Sequence, residues 1–345
     1  MNVGIVGFGF MGRMHYRCWK ARADARVAAV CDANPNIVED SKKAVGNIPG
    51  AEPVDFTGIA VYQDLGAMLE KERLDAVSIT LPTYAHAGAS IEALRAGLHV
   101  LCEKPMALTS EECDRMIAVA RKAGRVLQIG HCVRFWPEYA AAREIVREGK
   151  YGKLLAASLR RLASTPTWSH ENWLLDEKRS GGVVLDLHIH DTDWVQHLLG
   201  LPRAVSSFGV KASSGILVHA VTRYDYGDGP LVVAEGGWKM APSFGFEMSF
   251  NLVLEGATIV FDSTRKPAFR VCPEGGEAFS PPVGEGDGYV RQLDHFVRTI
   301  RGEAVPPVIT LEESRDSVRL VEAEKESIRR GRPVPVGKGR GRRRR

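Results

Sequence analysis

Val3-Gly4-Ile5-Val6-Gly7-Phe8-Gly9-Phe10-Met11-Gly12 decides how the first part of the chain folds. Val3 to Val6 reads as a short apolar strand that breaks into a glycine turn and opens a helix. Gly7, Gly9 and Gly12 keep the G-x-G-x-x-G spacing. The first glycine allows the tight turn. The second lets backbone approach a pyrophosphate, and the third lets the helix pack close to the strand. The helix start offers free N–H groups and the positive end of its dipole to the phosphates. Arg26-Val27-Ala28-Ala29-Val30-Cys31 reads as the next strand and ends at Asp32. An acid at that separation from the glycines hydrogen-bonds the adenine ribose of a dinucleotide. The plainer reading is a strand-end Asp capping the helix near Asn34-Pro35. Strand, turn, helix and acid together favour the dinucleotide. A carboxylate also repels a 2′-phosphate, and Ala33 and Asn34 supply no arginine to offset it. NAD is therefore expected over NADP, with Arg13 the one nearby side chain that could reverse the preference.

Strand and helix patterns alternate through residues 1–130. Short strands read at Ile59-Tyr62, Asp75-Thr80, Leu98-Cys102 and Arg125-Ile129, with helices between them. This alternation predicts a doubly wound parallel sheet, an α/β Rossmann domain. Ligands of such sheets bind beyond the carboxyl ends of the strands. Thr80-Leu81-Pro82, Glu103-Lys104-Pro105 and Gly130-His131 fall at such ends.

From about residue 153 the pattern changes. An alternating strand over 154–163 leads into a polar loop bearing Trp168 and Trp173. A helix then reads from Gly182 to Leu199, followed by five strands at hairpin spacing between 204 and 261 and helices near 287–301 and 311–329. Residues 131–336 are thus expected to form an α+β domain on a large, mostly antiparallel sheet. The second face of such a sheet needs cover, and self-association through it is expected. Residues 337–345 form a basic tail that reads as disordered. It holds six of the positive charges, so the net charge of +4 becomes −2 without it. The tail reads either as a loose contact for acidic surfaces or as a solvated end. Nothing else in the chain looks like a nucleic-acid module.

No apolar run of about 18 residues suggests a membrane span. The N-terminus enters a strand at once, leaving no room for a signal peptide. The six cysteines show no C-x-x-C pair or zinc spacing. They are expected to be reduced, and the protein cytoplasmic.

Two stretches carry chemistry. Lys104 sits beside a proline that fixes its backbone. Asp186, His190, Asp193 and His197 recur at i, i+4, i+7 and i+11, on one face of a helix. A histidine one turn from a carboxylate suits a general base. A metal site or a purely structural helix remains open on the residues alone.

Together, Gly7 to Gly12, Glu103-Lys104-Pro105, and Gly181-Gly182 followed by Asp186 and His190-Asp191 resemble the Gfo/Idh/MocA family of nicotinamide-dependent sugar and polyol oxidoreductases. The likeness runs over nearly the whole chain except the tail. It implies a Rossmann domain, an open-sheet domain, and assembly as homodimers or homotetramers. It also implies that Lys104, Asp186 and His190 form the catalytic group, without a metal. His190 would take the proton of a secondary alcohol and Lys104 would stabilise the same oxygen. Asp186 would bind a neighbouring hydroxyl or pair with Lys104. The candidate cofactor contacts are Gly7, Phe8, Gly9, Phe10, Met11, Gly12, Asp32, Thr80, Leu81, Pro82, His86, Glu103 and Lys104. The candidate substrate contacts are Lys104, His131, Trp173, Asp186 and His190. Arg134 reads equally as a domain-junction residue. Two rivals stand beside the dehydrogenase: a redox-neutral, NAD-using glycoside-cleaving enzyme, and a non-catalytic nucleotide or sugar sensor.

Overall fold

A computed structural model describes residues 1–42, 54–167 and 169–336. Six parallel strands form the first sheet: β1 (Asn2–Val6), β2 (Arg26–Cys31), β3 (Ala60–Tyr62), β4 (Ala76–Ile79), β5 (His99–Glu103) and β6 (Leu127–Gly130). Their spatial order is β3-β2-β1-β4-β5-β6. Strand order reverses between β1 and β4, which opens a crevice at the carboxyl ends of that pair. The helices α1 (Phe10–Lys20), α2 (Ile37–Asp40), α3 (Leu65–Lys71), α4 (Thr83–Arg95) and α5 (Ser110–Ala123) make the crossovers. Their ends follow local chemistry. Asp64 caps α3 by accepting the Ala67 N–H, and Thr109 caps α5 by accepting the Glu112 N–H. Gly124 closes α5 at φ 60°, in the left-handed region that favours glycine.

α6 (Pro137–Glu148) leads into an eight-stranded sheet of β7 (Leu154–Ser164), β8 (Ala204–Lys211), β9 (Leu217–Asp225), β10 (Leu231–Met240), β11 (Phe246–Leu254), β12 (Ala257–Asp262), β13 (Phe269–Pro273) and β14 (Val334–Pro335). The order is β13-β12-β11-β7-β10-β9-β8-β14, antiparallel except where β10 runs parallel to β7. α7 (Glu177–Ser180), α8 (Ile189–Leu199), α9 (Gly288–Ile300) and α10 (Leu311–Arg330) complete the fold. Tyr139, Trp194, Phe250 and Phe261 pack ring to ring beneath the sheet, with centroids 4.9–5.6 Å apart.

The sequence reading missed α6, β13 and β14. It also drew a single helix over 182–199. Residues Val184–His188 instead form one wider π-turn that runs into α8. α9 lies where the sequence places a helix, near 287–301. It lies late in the chain, yet Leu293, Phe296 and Val297 pack into the core around β1 and α1. Phe296 meets Trp19 edge-on, and Trp19 donates its indole N–H to Ser78 Oγ at 2.9 Å.

Candidate active site

The glycine turn sits over the crevice. Gly7 adopts φ 87°, and a Cβ there would lie 2.8 Å from the Thr80 carbonyl. A Cβ on Gly12 would collide with the Gly7 carbonyl oxygen. Gly9 is exposed, with no heavy atom within 4 Å of its Cβ position. Open space above a helix start whose cap uses no side chain suits a phosphate group. Asp32 closes the other side of the turn. Its Oδ2 accepts the Phe8 N–H at 2.6 Å and its Oδ1 accepts the Asn34 N–H at 2.9 Å. These residues fit a dinucleotide. Arg13 is buried and donates to the carbonyl oxygens of Asp40 and Ser41.

Several expected cofactor contacts also brace the crevice. The Phe8 side chain is fully buried against Tyr16 and Phe56, so only its backbone borders the turn. Thr80 donates its hydroxyl to the Gly7 carbonyl at 2.5 Å. The ring nitrogens of His86 lie 2.8 Å from the carbonyl oxygens of Leu81 and Pro105. Phe10, Met11, Leu81 and Pro82 are half-buried at the crevice edge.

Glu103 is 4% exposed and faces His15 Nε2 at 2.9 Å. His15 ties α1 to the end of β5. A Cβ at Gly130 would come within 2.8 Å of that carboxylate, which accounts for a glycine on the neighbouring strand. His15 escaped the sequence reading because its partner lies 88 residues away.

Lys104 precedes Pro105 through a cis bond, and its ammonium crosses the crevice to the second half of the fold. Nζ donates to the Asp186 carbonyl oxygen at 2.8 Å and to Asp186 Oδ1 at 3.1 Å. Both side chains keep partial solvent contact, at 15% and 18%. His190 lies one turn further on and is half-buried. Burial, then the positive charges of Lys104 and Arg161 and the neighbouring His131, holds its pKa well below the ordinary imidazole value. His190 is therefore neutral near pH 7 and able to accept a proton. Its Nδ1 is enclosed without a hydrogen-bond partner among the described residues.

His131 does not reach the crevice surface. It is 1% exposed, and its Nδ1 lies 3.4 Å from Asp193 Oδ2. Burial holds its pKa down, against the pull of Asp193. Trp173 is half-buried in the loop before α7, and Trp168 lies outside the described residues. Glu171 and Asn172 in that loop both take φ 51°, which non-glycine residues rarely adopt. Arg179 at its far end stacks over the Tyr84 ring of α4 at 5.1 Å and reaches Glu171 at 3.2 Å.

Asp193 and His197 belong to a different cluster. Arg134 donates to both Asp193 oxygens at 2.8 Å, to Glu313 Oε2 at 2.7 Å and to the Val308 carbonyl at 3.1 Å. Arg134 is thus the junction residue, joining the end of β6 to α8 and α10. The four-residue face read from the sequence divides here into two pairs, each carboxylate taken by its own cation.

A Rossmann sheet with an open glycine cradle, joined to an open-sheet domain that sets a carboxylate and a neutral histidine before a lysine, defines a nicotinamide oxidoreductase architecture. Residues 1–131 match the family model described as oxidoreductase family, NAD-binding Rossmann fold, and residues 139–260 match the GFO/IDH/MocA C-terminal domain. The chain belongs to the Gfo/Idh/MocA family of oxidoreductases. It is 27% identical to a myo-inositol 2-dehydrogenase from Thermotoga maritima, over 97% of this chain and 98% of the relative. A 2,7-anhydro-N-acetylneuraminate hydratase from Escherichia coli is 30% identical over 61% of this chain and 52% of its own length. A levoglucosan dehydrogenase solved with NADH and levoglucosan shares the fold at TM-score 0.82 and 21% identity, over 98% of this chain and all of that one. The family likeness makes this chain an enzyme of the dehydrogenase type, acting on CH–OH groups. Among the described residues, no helix is long and apolar enough to cross a membrane.

Proposed function

We propose that this enzyme oxidises a secondary alcohol of a sugar, inositol or related polyol, with NAD as its cofactor. The observation that carries the reading is the Lys104–Asp186 contact beside the neutral His190, at the mouth of the crevice opened by the glycine turn. Gly7, Gly9, Gly12 and Asp32 would hold the dinucleotide. Bound NAD supplies the hydride acceptor. His190 takes the hydroxyl proton, so the O–H bond breaks as the N–H bond forms. Lys104 donates to the same oxygen and stabilises its developing negative charge. Asp186 holds the ammonium in place and offers its second oxygen to a neighbouring hydroxyl. Substrates with vicinal hydroxyls satisfy both groups at once.

Asp32 supports NAD over NADP, since a carboxylate just past the end of β2 repels a 2′-phosphate. The Arg13 guanidinium is engaged with the Asp40 and Ser41 carbonyls rather than turned to that position. The named relatives support the sugar and polyol class without choosing within it.

The outer face of the large sheet supports self-association. Phe208, Val210 and Leu231 stand 72%, 61% and 56% exposed there. A scattering measurement of mass in solution tests this, and a monomer at micromolar concentration removes it. The decisive test of function is an absorbance screen at the NADH band, with NAD or NADP and a panel of sugars, inositols and sugar acids. Reduction with one compound class supports the reading and names the class. Tight NAD binding with no net reduction would shift the assignment to redox-neutral chemistry.

A further inference from the structure

Behind the catalytic turn lies a polar cluster that the proposed chemistry does not use. Glu324 of α10 is completely buried. Its Oε1 accepts from Tyr224 of β9 at 2.9 Å and from Thr192 of α8 at 3.0 Å. The Thr192 and Tyr224 hydroxyls are 2.8 Å apart, which closes a triangle. Thr192 Oγ1 also lies 3.3 Å from the His188 carbonyl, and His188 Nε2 lies 3.7 Å from Glu324 Oε2. The His188 ring rests on Gly236 of β10, where a Cβ would approach its Nδ1 to 2.7 Å. His188 ends the π-turn that carries Asp186, and Thr192 starts the next turn. His190 sits between these two anchored residues.

We propose that Glu324 is a positioning residue, whose buried carboxyl group, with Tyr224 and Thr192, fixes the turn that presents Asp186 and His190 to the substrate. This rests on the dehydrogenase reading of the site. A helix that widens to a π-turn has an alternative, regular register. The Glu324 triangle pins one side of that turn and the His188–Gly236 contact pins the other.

The carboxyl acts in its neutral form. Burial raises its pKa to about 8, and the Tyr224 and Thr192 hydrogen bonds only partly oppose that. The groups facing it supply no compensating charge. His188 is itself kept neutral by burial, with its pKa drawn down to about 3. Tyr224 is pushed well above its ordinary value. Asp191, on the neighbouring position of α8, is paired with Arg161 of β7 at 3.0 Å. An acid whose folded pKa is raised contributes stability that is present below its unfolded value and lost as pH rises through the folded value. The turn is therefore held through neutral pH and loosened above about pH 8.

Glu324→Gln keeps the shape and the neutral charge state, and it cannot ionise. Its kcat is expected within about twofold of wild type at pH 7. At pH 9 it should retain that kcat while wild type falls, with KM for the substrate changed little in either. Its melting temperature should match wild type near pH 4 and exceed it by a margin that widens up to about pH 8 and persists at pH 9. Tyr224→Phe, which removes only a hydroxyl, should lower kcat about fivefold or more with NAD binding intact. Two results overturn the proposal. One is a Glu324→Gln melting curve that runs parallel to wild type from pH 6 to pH 9. The other is wild-type kcat in Tyr224→Phe. If wild type reduces no NAD with any polyol, the dehydrogenase reading fails by itself, and the melting curves still decide the state of Glu324.

Discussion

The helix from Val184 to Leu199 carries the same pattern twice, and the two copies do different work. Asp186 is followed four residues later by His190, and Asp193 four residues later by His197. Each carboxylate meets a cation from the end of a Rossmann strand. Lys104 holds Asp186 through one ammonium, with both side chains partly wet. Arg134 holds Asp193 through a two-point fork, with side-chain exposures of 0% and 1%. The fork is closed further by Ser317, which donates to Asp193 Oδ1 at 2.7 Å, and by Glu313. A point charge at a wet edge can be shared with a substrate oxygen, whereas a buried planar guanidinium forked to its own carboxylate is out of a substrate's reach. The residue types are alike, so the cation and its access to solvent separate a site that does chemistry from a lock that joins two halves of a fold.

That comparison breaks most sharply at the first pair. Lys104→Ala and His190→Ala are each expected to lower kcat by about 10²–10⁴-fold, because each removes a group proposed to act on the reacting oxygen. NAD binding should survive in both, measured by titration. Turnover like wild type in either variant removes that residue from the mechanism. The pH profile sharpens the same point. His190 has a depressed pKa, so it stays unprotonated as pH falls through the ordinary imidazole range. The acid limb of kcat for alcohol oxidation is expected below pH 6.5, and a limb at or above that value points to a different base.

The second pair should fail in the opposite way. Arg134→Ala leaves Asp193 buried and uncompensated, a loss of about 3–5 kcal/mol in stability. Denaturant unfolding measures it. Asp193 is held well below the usual carboxylate range by Arg134 and His131, against the cost of burial. A carboxylate with a depressed folded pKa contributes stability above its unfolded value and loses it as pH falls. Wild type should therefore weaken on acidification, below about pH 4, and Arg134→Ala should lack that part of the acid response. An unchanged midpoint in Arg134→Ala would show that the fork contributes nothing to the fold.

The glycine turn was legible in the sequence because its requirements are local. A positive φ at Gly7 and a Cβ collision at Gly12 are settled within one turn of chain and the strand beside it. The order of strands and helices followed from the same kind of local periodicity. Lys104, Asp186 and His190 were readable as residue types, while their meeting depends on a contact across 82 positions. The division of the Asp186-to-His197 face was not readable, because it is set by Lys104 and Arg134, which arrive from 82 and 59 positions away. His131, Thr80 and Glu103 show a different limit of position along the chain. Each stands at a strand end, where ligands bind, but each spends its polar atoms or its burial on the protein itself. Sequence position gives the neighbourhood, and long-range partners give the direction a side chain faces.

The smallest effect gives the cleanest contrast, because it sets the two histidines against each other. His197 has its pKa drawn down to about 3 by burial and then by Arg134 and Arg143. It is neutral, and its Nδ1 accepts a hydrogen bond from an Arg134 N–H at 3.1 Å. His190 has the same charge state, and its Nδ1 has no partner among the described residues. His197→Ala removes one hydrogen bond to a charged donor, worth about 1.5–3 kcal/mol. Arg134 keeps its fork to Asp193, so the junction should hold and kcat should stay within about twofold of wild type. His190→Ala breaks no hydrogen bond among the described contacts, so its unfolding midpoint should move less than that of His197→Ala while its turnover collapses. Kinetics and unfolding measured side by side on the two variants should therefore rank them in opposite orders. If both rank the same way, the two pairs are one continuous network, and the separation of chemistry from lock along this helix is wrong.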